Sequence, residues 1–517
     1  MKKWWVKLLL VIAAVVLLLV AWLAVSSIHA TNAVERYKAQ LRASGERLAF
    51  TDLIPPPLKP ESNGVEFFNQ AAPLLNSSAG MLDTNDVPYM KMVAPGKAMV
   101  GWQQVKIVSF YRGGATNTWQ DLEVALQAQG NAFELLQKTV SRPVLDFGLD
   151  YRALPDSIAF QPMIKVKSAA SILAPAVIDE LHLGDTATAV TNLHTIIALV
   201  NAWQQPLMVA QLVRTAMASI ADRAQWEVLQ STNLTDAQLA LLQRDWEKMD
   251  FVQAFETAMV MERDFQYISI EHLRGSNSPS TSAAYTINWG GSSSSTGLGA
   301  LLDEWGPKGV AIREKTVDAL WRVSWSYEDE LHMLQSDQTM IDAMRRVKRE
   351  GFFQDALADL DRKLSAMGVG RTNGAWLRDN FDNDLKNSIQ SSTRDIKDCI
   401  NRALSTEVAR RIVITAIALK RYQLRHGSLP LDLPALVPEF LSELPRDPVD
   451  GKPLRYHPNA NGTFVLYSIG EDCKDGGGDV TPDGKFTSFY WLGGLDWVWP
   501  QPATPQEVQN YYDHPPK

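Results

Sequence analysis

The sequence predicts a mainly α-helical protein with a C-terminal α+β domain, tethered by an N-terminal transmembrane helix. Three observations carry that expectation. The run from Leu8 to Val25 holds no charged residue and has the length of a membrane span. Apolar residues recur at three- and four-residue intervals over most of 118–426, the period of amphipathic helices. Beyond Gly427 the pattern changes to short β-prone runs punctuated by Pro, Asp-Gly and Asn-Gly, which are turn and hairpin signals.

Residues 1–30 are expected to form the anchor. Trp4 and Trp5 stand where an interfacial aromatic belt would be, and Lys2, Lys3 and Lys7 precede the apolar run. The rival reading is a signal peptide cleaved near Ser27-Ile28-His29-Ala30. Signal h-regions run to about 7–15 residues, shorter than this one, which favours an uncleaved anchor. Arg36, Lys38, Arg42 and Arg47 lie on the far side, partly offset by Glu35 and Glu46. The short lysine tail and the large domain that follows favour a bacterial inner-membrane protein with its body in the periplasm. A cytoplasm-facing body is the alternative orientation.

Residues 31–117 read as an amphipathic helix followed by a mixed linker. Val34, Tyr37, Leu41 and Leu48 share one face, and Pro55-Pro56-Pro57 are expected to end the helix, since serial prolines cannot continue one. Residues 118–380 read as a helical body. Its tight turns are expected at Gly184-Asp185, Gln204-Gln205-Pro206 and Ser231-Thr232-Asn233, and Thr235 with Gln238 forms a capping-box pattern. A Ser/Gly-rich loop is expected at 277–297, and the glycine-punctuated passage 368–384 marks a boundary. A long helix should follow from about Leu385 to His426. In it Ile396, Ile400, Leu404, Val408 and Ile412 form one buried stripe, and Gly427 suits the left-handed position after the last turn. Residues 385–500 make the head and 501–517 a tail.

Composition excludes several classes. Of 517 residues, 46% are hydrophobic and 21% charged, so most of the chain should fold. The net charge of −8 lacks the basic face that nucleic acid demands, and no nucleic-acid partner is expected. Two cysteines, Cys399 and Cys473, are too few for a disulfide framework or a thiolate metal site. Cys399 sits about 40 Å along the helix from its end, so two free thiols are expected. The aromatic stretch Phe486–Trp499 is expected to pack rather than bind sugar. None of the eight histidines has a recognised zinc spacing, and no phosphate loop, G-x-S-x-G or G-x-G-x-x-G is present. The clusters Asp179–His182 and Glu328–His332 are expected to be solvated helix faces with i,i+4 pairs. Paired carboxylates for glycoside cleavage need no local spacing and stay open.

The closing unit carries an ordered set of short motifs. These are Ala418-Leu419-Lys420-Arg421-Tyr422, then Pro430, then Arg446-Asp447-Pro448, then Tyr467-Ser468-Ile469-Gly470-Glu471-Asp472, then Gly476-Gly477. The set resembles the C-terminal headpiece of the major pseudopilin of bacterial type II secretion. The resemblance implies a long helix packed on a small antiparallel sheet, and a calcium ion in the acidic loop. In that reading Asp472 is a side-chain ligand, Asp479 a second, and Asp475 a further carboxylate of the set. Calcium takes about 6–8 hard oxygens, and Gly476, Gly477 and Gly478 allow the loop to bend. The sequence departs from the pattern in two places. Cys473 stands where the family has glycine, and no prepilin-peptidase site precedes the apolar run. The middle of the chain resembles helical domains of uncharacterised membrane-anchored bacterial proteins.

The expected function is a non-enzymatic, membrane-anchored extracytoplasmic scaffold or secretion-associated protein. Its partners would be other envelope or secretion proteins, and its head is pseudopilin-like and calcium-binding. The alternative is an envelope hydrolase with its site in a cleft between helical body and head.

Overall fold

The computed structural model describes residues 2–48, 53–56, 58–75, 87–109, 115–151, 161–275, 301, 304–367, 384–482 and 491–514. The expected loop at 277–297 lies outside these residues, as does all but the last residue of the boundary passage 368–384.

The first helix, α1, spans Lys2–Ala43. It is long and apolar enough to cross a membrane, with a mean hydropathy of 3.2 in its most apolar window, none of it buried. From Ala30 onward its character changes. Ala30 and Val34 are buried, followed by Leu41 and, past the helix end, Leu48. This is the apolar face expected from the spacing. The helix does not reach the three prolines. It stops at Ala43, because Gly45 takes the left-handed conformation (φ +90°) and the Glu46 N–H turns back to the Leu41 carbonyl, a closure that ends helices.

Short elements follow: α2 (Val65–Ala71), β1 (Lys91–Ala94), β2 (Lys97–Met99), β3 (Ile107–Ser109) and β4 (Ala115–Asn117). The periodic run 121–140 splits into α3 (Trp119–Gln127) and α4 (Gly130–Val140), with Gly130, a poor helix former, opening the second piece. Then come α5 (Gln161–Leu183), α6 (Thr186–Ala202), α7 (Met208–Leu229), α8 (Asp236–Glu247) and α9 (Phe251–Gly275). The turns between α5 and α8 fall where the sequence places them. Thr235 and Gln238 form the expected reciprocal cap at the start of α8. Helices α5, α6 and α7 pack on one another as the centre of the body.

Helix α10 (Pro307–Leu320) leads through a π-helical turn (Trp321–Trp325) into α11 (Ser326–Glu350). After α12 (Gln354–Ala366) comes α13 (Asp384–His426), which lies against α7, α8 and α9. Its stripe from Ile396 to Ile412 is buried as expected, and Gly427 is left-handed (φ +75°).

The head is built on that helix. Strands β5 (Arg455–Pro458), β6 (Phe464–Ser468) and β7 (Trp497–Val498) form an antiparallel sheet in the order β5-β6-β7. The β5–β6 hairpin turns at Asn461-Gly462, where Gly462 is left-handed. Strand β6 packs on α13, with Leu466 fully buried. Trp491, Trp497 and Trp499 are buried too, so the described part of the aromatic stretch packs. The chain end then returns to the N-terminal part. Strand β8 (Gln501–Pro502) pairs in parallel with β2, and α14 (Pro505–Asp513) covers β1. One continuous apolar core runs from Phe68 through the helical body to Trp499.

Candidate functional site

The acidic corner of the head is organised around one arginine. Arg455 leaves β5 with its guanidinium between three carboxylates. It donates to Asp447 (2.8 Å), Asp450 (2.7 Å) and Asp475 (3.2 Å). Asp447 has no solvent exposure. It also accepts the N–H groups of Val449 (3.0 Å) and Ile469 (3.1 Å) and the Ser468 hydroxyl (2.8 Å). It thereby ties the Arg446-Asp447-Pro448 turn to the end of β6. Burial pushes its carboxyl up against the pull of these donors. For Asp450 burial acts the same way, but Arg455 outweighs it and holds the carboxyl below its usual range.

Asp496 shapes the glycine loop from the other side. Its buried carboxylate accepts the N–H groups of Gly478 and Asp479 (both 2.8 Å) and lies 3.4 Å from that of Gly476. Successive backbone N–H groups turned inward make an anion nest, and here the anion is supplied by the chain itself. Gly476 leaves no room for a side chain, since a Cβ there would stand 2.9 Å from the Asp496 carboxylate.

The three expected calcium ligands have separate partners. Asp472 is exposed and accepts the Lys474 N–H (3.1 Å). Asp479 accepts the Thr481 N–H (2.9 Å). Asp475 is the most engaged, receiving the Tyr467 hydroxyl (2.9 Å) and the Gly477 N–H (3.1 Å) on one oxygen and Arg455 on the other. Among the described residues, no group of three or more His, Cys, Asp or Glu side chains is arranged to hold a metal ion. As a donor set, Asp472 and Asp479 suit a hard cation, whereas Asp475 would have to exchange Arg455 for it. Cys473, between them, is left-handed (φ +57°), a conformation that favours glycine.

A cleft of about 410 Å³ opens beside this cluster, lined by Gln354 of α12 and by Asp450, Lys452, Arg455, Cys473 and Asp475 of the head. Burial, then the neighbouring Asp472, pushes the Cys473 thiol up, away from the thiolate that nucleophilic chemistry needs. Cys399 is pushed up as well, to about 11, by burial. Both thiols are free. The cleft is therefore a charged recess suited to binding polar or ionic groups.

A second charged cluster joins α1 to the body. Lys38 of α1 is almost fully buried and pairs with Glu271 of α9 (2.7 Å) and with Glu330 of α11. Burial works against its ammonium, but the two glutamates outweigh it and raise its pKa. Glu46 pairs with Arg263 of α9 (3.2 Å) and with Arg345 of α11, and accepts the Gln338 amide (3.1 Å). The Arg263 side chain has no exposure at all. The run Glu328–His332 is thus not a solvated face. Asp329 and Glu330 are buried, Asp329 accepting the Trp321 indole N–H (2.9 Å) and Glu330 lying against Lys38 of α1. Asp179 is buried as well, and burial raises its carboxyl to about 7. Sequence spacing carries no sign of Arg455, Asp496 or Glu46 as organising residues, because their partners are distant in the chain.

Comparison with protein-family models, with curated proteins and with solved structures gives no match.

Proposed function

We propose that the chain is a single-pass scaffold of a bacterial inner membrane, with its body in the periplasm and a pseudopilin-like head offered to envelope or secretion partners. One observation carries this reading. The first half of α1 is apolar and exposed, while its second half is keyed into the body through the buried pairs of Lys38 and Glu46. A span joined in this way fixes the body's attitude to the bilayer, where a flexible linker would leave it free. The helical conformation of 27–30 within α1 also favours a retained anchor over a cleaved leader.

The head's kinship is supported by α13 packing on β6 and by the left-handed Cys473 at the family's glycine position. Calcium would enter at Asp472 and Asp479, with Asp475 reached only by displacing Arg455. Its role there would be structural.

The test is a C-terminal alkaline phosphatase fusion, combined with mild purification from native membranes. An active fusion and co-recovery of secretion components support the scaffold. An inactive fusion overturns the orientation. The second reading, an envelope hydrolase, draws on the cleft between α12 and the head. Hydrolysis of an envelope polymer by the purified full chain, lost on Lys452→Ala, would favour it over the scaffold.

A further inference from the structure

We propose that α10 lies along the surface of the membrane that α1 enters, as a second lipid contact that sets the tilt of the body. The inference rests on reading α1 as the membrane span.

Position along the bilayer normal comes from the pairing of α1 with α11. Lys38 meets Glu330, and Glu46 meets Gln338. As the chain passes from Lys38 to Glu46, just beyond the end of α1, its partners advance from Glu330 to Gln338 and Arg345, so α11 runs in the same direction as α1. Tracing the chain back from Glu330 toward the start of α11 brings the π-helical turn, which also packs on α1, near the level of Ala30, the first buried residue among those described in α1. The apolar run ends at Val25, about 7 Å nearer the bilayer at 1.5 Å per residue. The π-helical turn 321–325 therefore sits just above the lipid, and α10, which leads into it, is the membrane-proximal element.

Helix α10 would enter the bilayer if it stayed parallel to α1. Its lysines and arginine forbid that, because a charge near the bilayer centre costs several kcal/mol, roughly 2.5–3.5 on insertion scales. Among the described residues, α1's principal partners are α11 and the π-helical turn, while α10, which runs directly into that turn, is not among them. Inserted π turns are common sites of helix bending. The run thus turns aside at the level of the interface.

The outer face of α10 has the matching chemistry. Lys308, Ile312, Lys315 and Ala319 follow at three- and four-residue spacing, and all are exposed, as is Val323 in the π-helical turn that follows. Trp305, just before the start of α10, is 72% exposed and Val323 is 53% exposed. No acidic residue falls on this stripe. Apolar side chains alternating with lysines suit the headgroup boundary, where the apolar groups sink and the ammonium groups reach anionic lipid. Tryptophan favours the same depth.

The test uses the full chain with Cys399→Ser and Cys473→Ser, reconstituted into phosphatidylcholine–phosphatidylglycerol vesicles. Single spin labels are placed through Ile312→Cys and, separately, Trp305→Cys. Reference labels go at Val15→Cys in the span and Leu431→Cys on the head. Collisions with oxygen and with a water-soluble nickel chelate are compared. The expected ratio of oxygen to nickel at 312 and 305 is severalfold above that at 431 and below that at 15. A water-like ratio at both 312 and 305, with 15 in lipid, overturns the α10 contact and leaves the anchor standing. A water-like ratio at 15 overturns the anchor reading, and the α10 contact falls with it.

Discussion

Arg263 of α9 and Glu46, just past the end of α1, form an ion pair of 3.2 Å, and the arginine side chain is wholly buried. The chain turns at Gly45 to bring Glu46 there, so the left-handed glycine is what seats the end of α1 on the body. Gln338, Asp264 and the Arg47 carbonyl also accept from the arginine. Removing the carboxylate leaves a buried guanidinium short of one of its two counter-charges, a change that typically costs about 3–5 kcal/mol. Glu46→Gln keeps the shape and one acceptor, so the expected loss is nearer 2–3 kcal/mol. Denaturant unfolding of the full chain in detergent measures it. An unchanged midpoint would mean that the seat does not hold the body.

Arg455 plays the corresponding part in the head. Arg455→Met would strand the buried Asp447 and leave Asp450 facing it as a like charge. The expected cost is about 3–5 kcal/mol, with little of it from the half-exposed Asp475. Limited proteolysis should show new cutting within 470–482 while the helical body stays intact. Protection equal to the parent protein would contradict the role given to this arginine.

The calcium proposal makes a separate demand. A structural ion adds stability by mass action, about 2.7 kcal/mol at a hundredfold excess over its dissociation constant. Melting of the full chain should shift upward in calcium relative to a chelator, and Asp472→Ala with Asp479→Ala should abolish the shift. Identical melting curves in calcium and chelator would remove calcium from the account and leave Arg455 as the cation of that corner.

Asp222 of α7 sets a pH dependence. It is buried, its Oδ1 has no hydrogen-bond partner among the described residues, and burial pushes its carboxyl up to about 8. In the unfolded chain the same group titrates near about 3.9. Between those values the folded state keeps a proton that the unfolded state has released. Its contribution is thus fully present below about pH 4 and lost as pH rises toward 8. Asp222→Asn should remove that slope and stabilise the protein by about 1–3 kcal/mol at pH 8, read from urea unfolding at pH 5 and pH 8. A steeper decline in the variant would contradict the assignment.

The helical body was legible because its signals are local. The stripe of α13, the cap at Thr235 and the left-handed Gly427 each depend on residues within a turn or two. The hairpin at Asn461-Gly462 was legible for the same reason. What escaped the sequence is long-range. Nothing near Glu46 announces Arg263, and nothing near Gly476 announces Asp496, since such pairs are set only when distant elements meet. The loss of the Pro55 helix end is instructive too. A proline marks where a helix can no longer run, but Gly45 had already ended it. The acidic loop was visible as a cluster of carboxylates, yet Arg455 and Asp496, which set its shape, come from β5 and from the approach to β7.

The central claim is that the apolar half of α1 is retained and continuous with the seat at Lys38 and Glu46. The most direct measurement is the intact mass of the protein extracted from carbonate-washed native membranes. The account predicts a membrane-bound species that still carries residues 8–25. A protein beginning at Thr31, released into the soluble fraction, would contradict it.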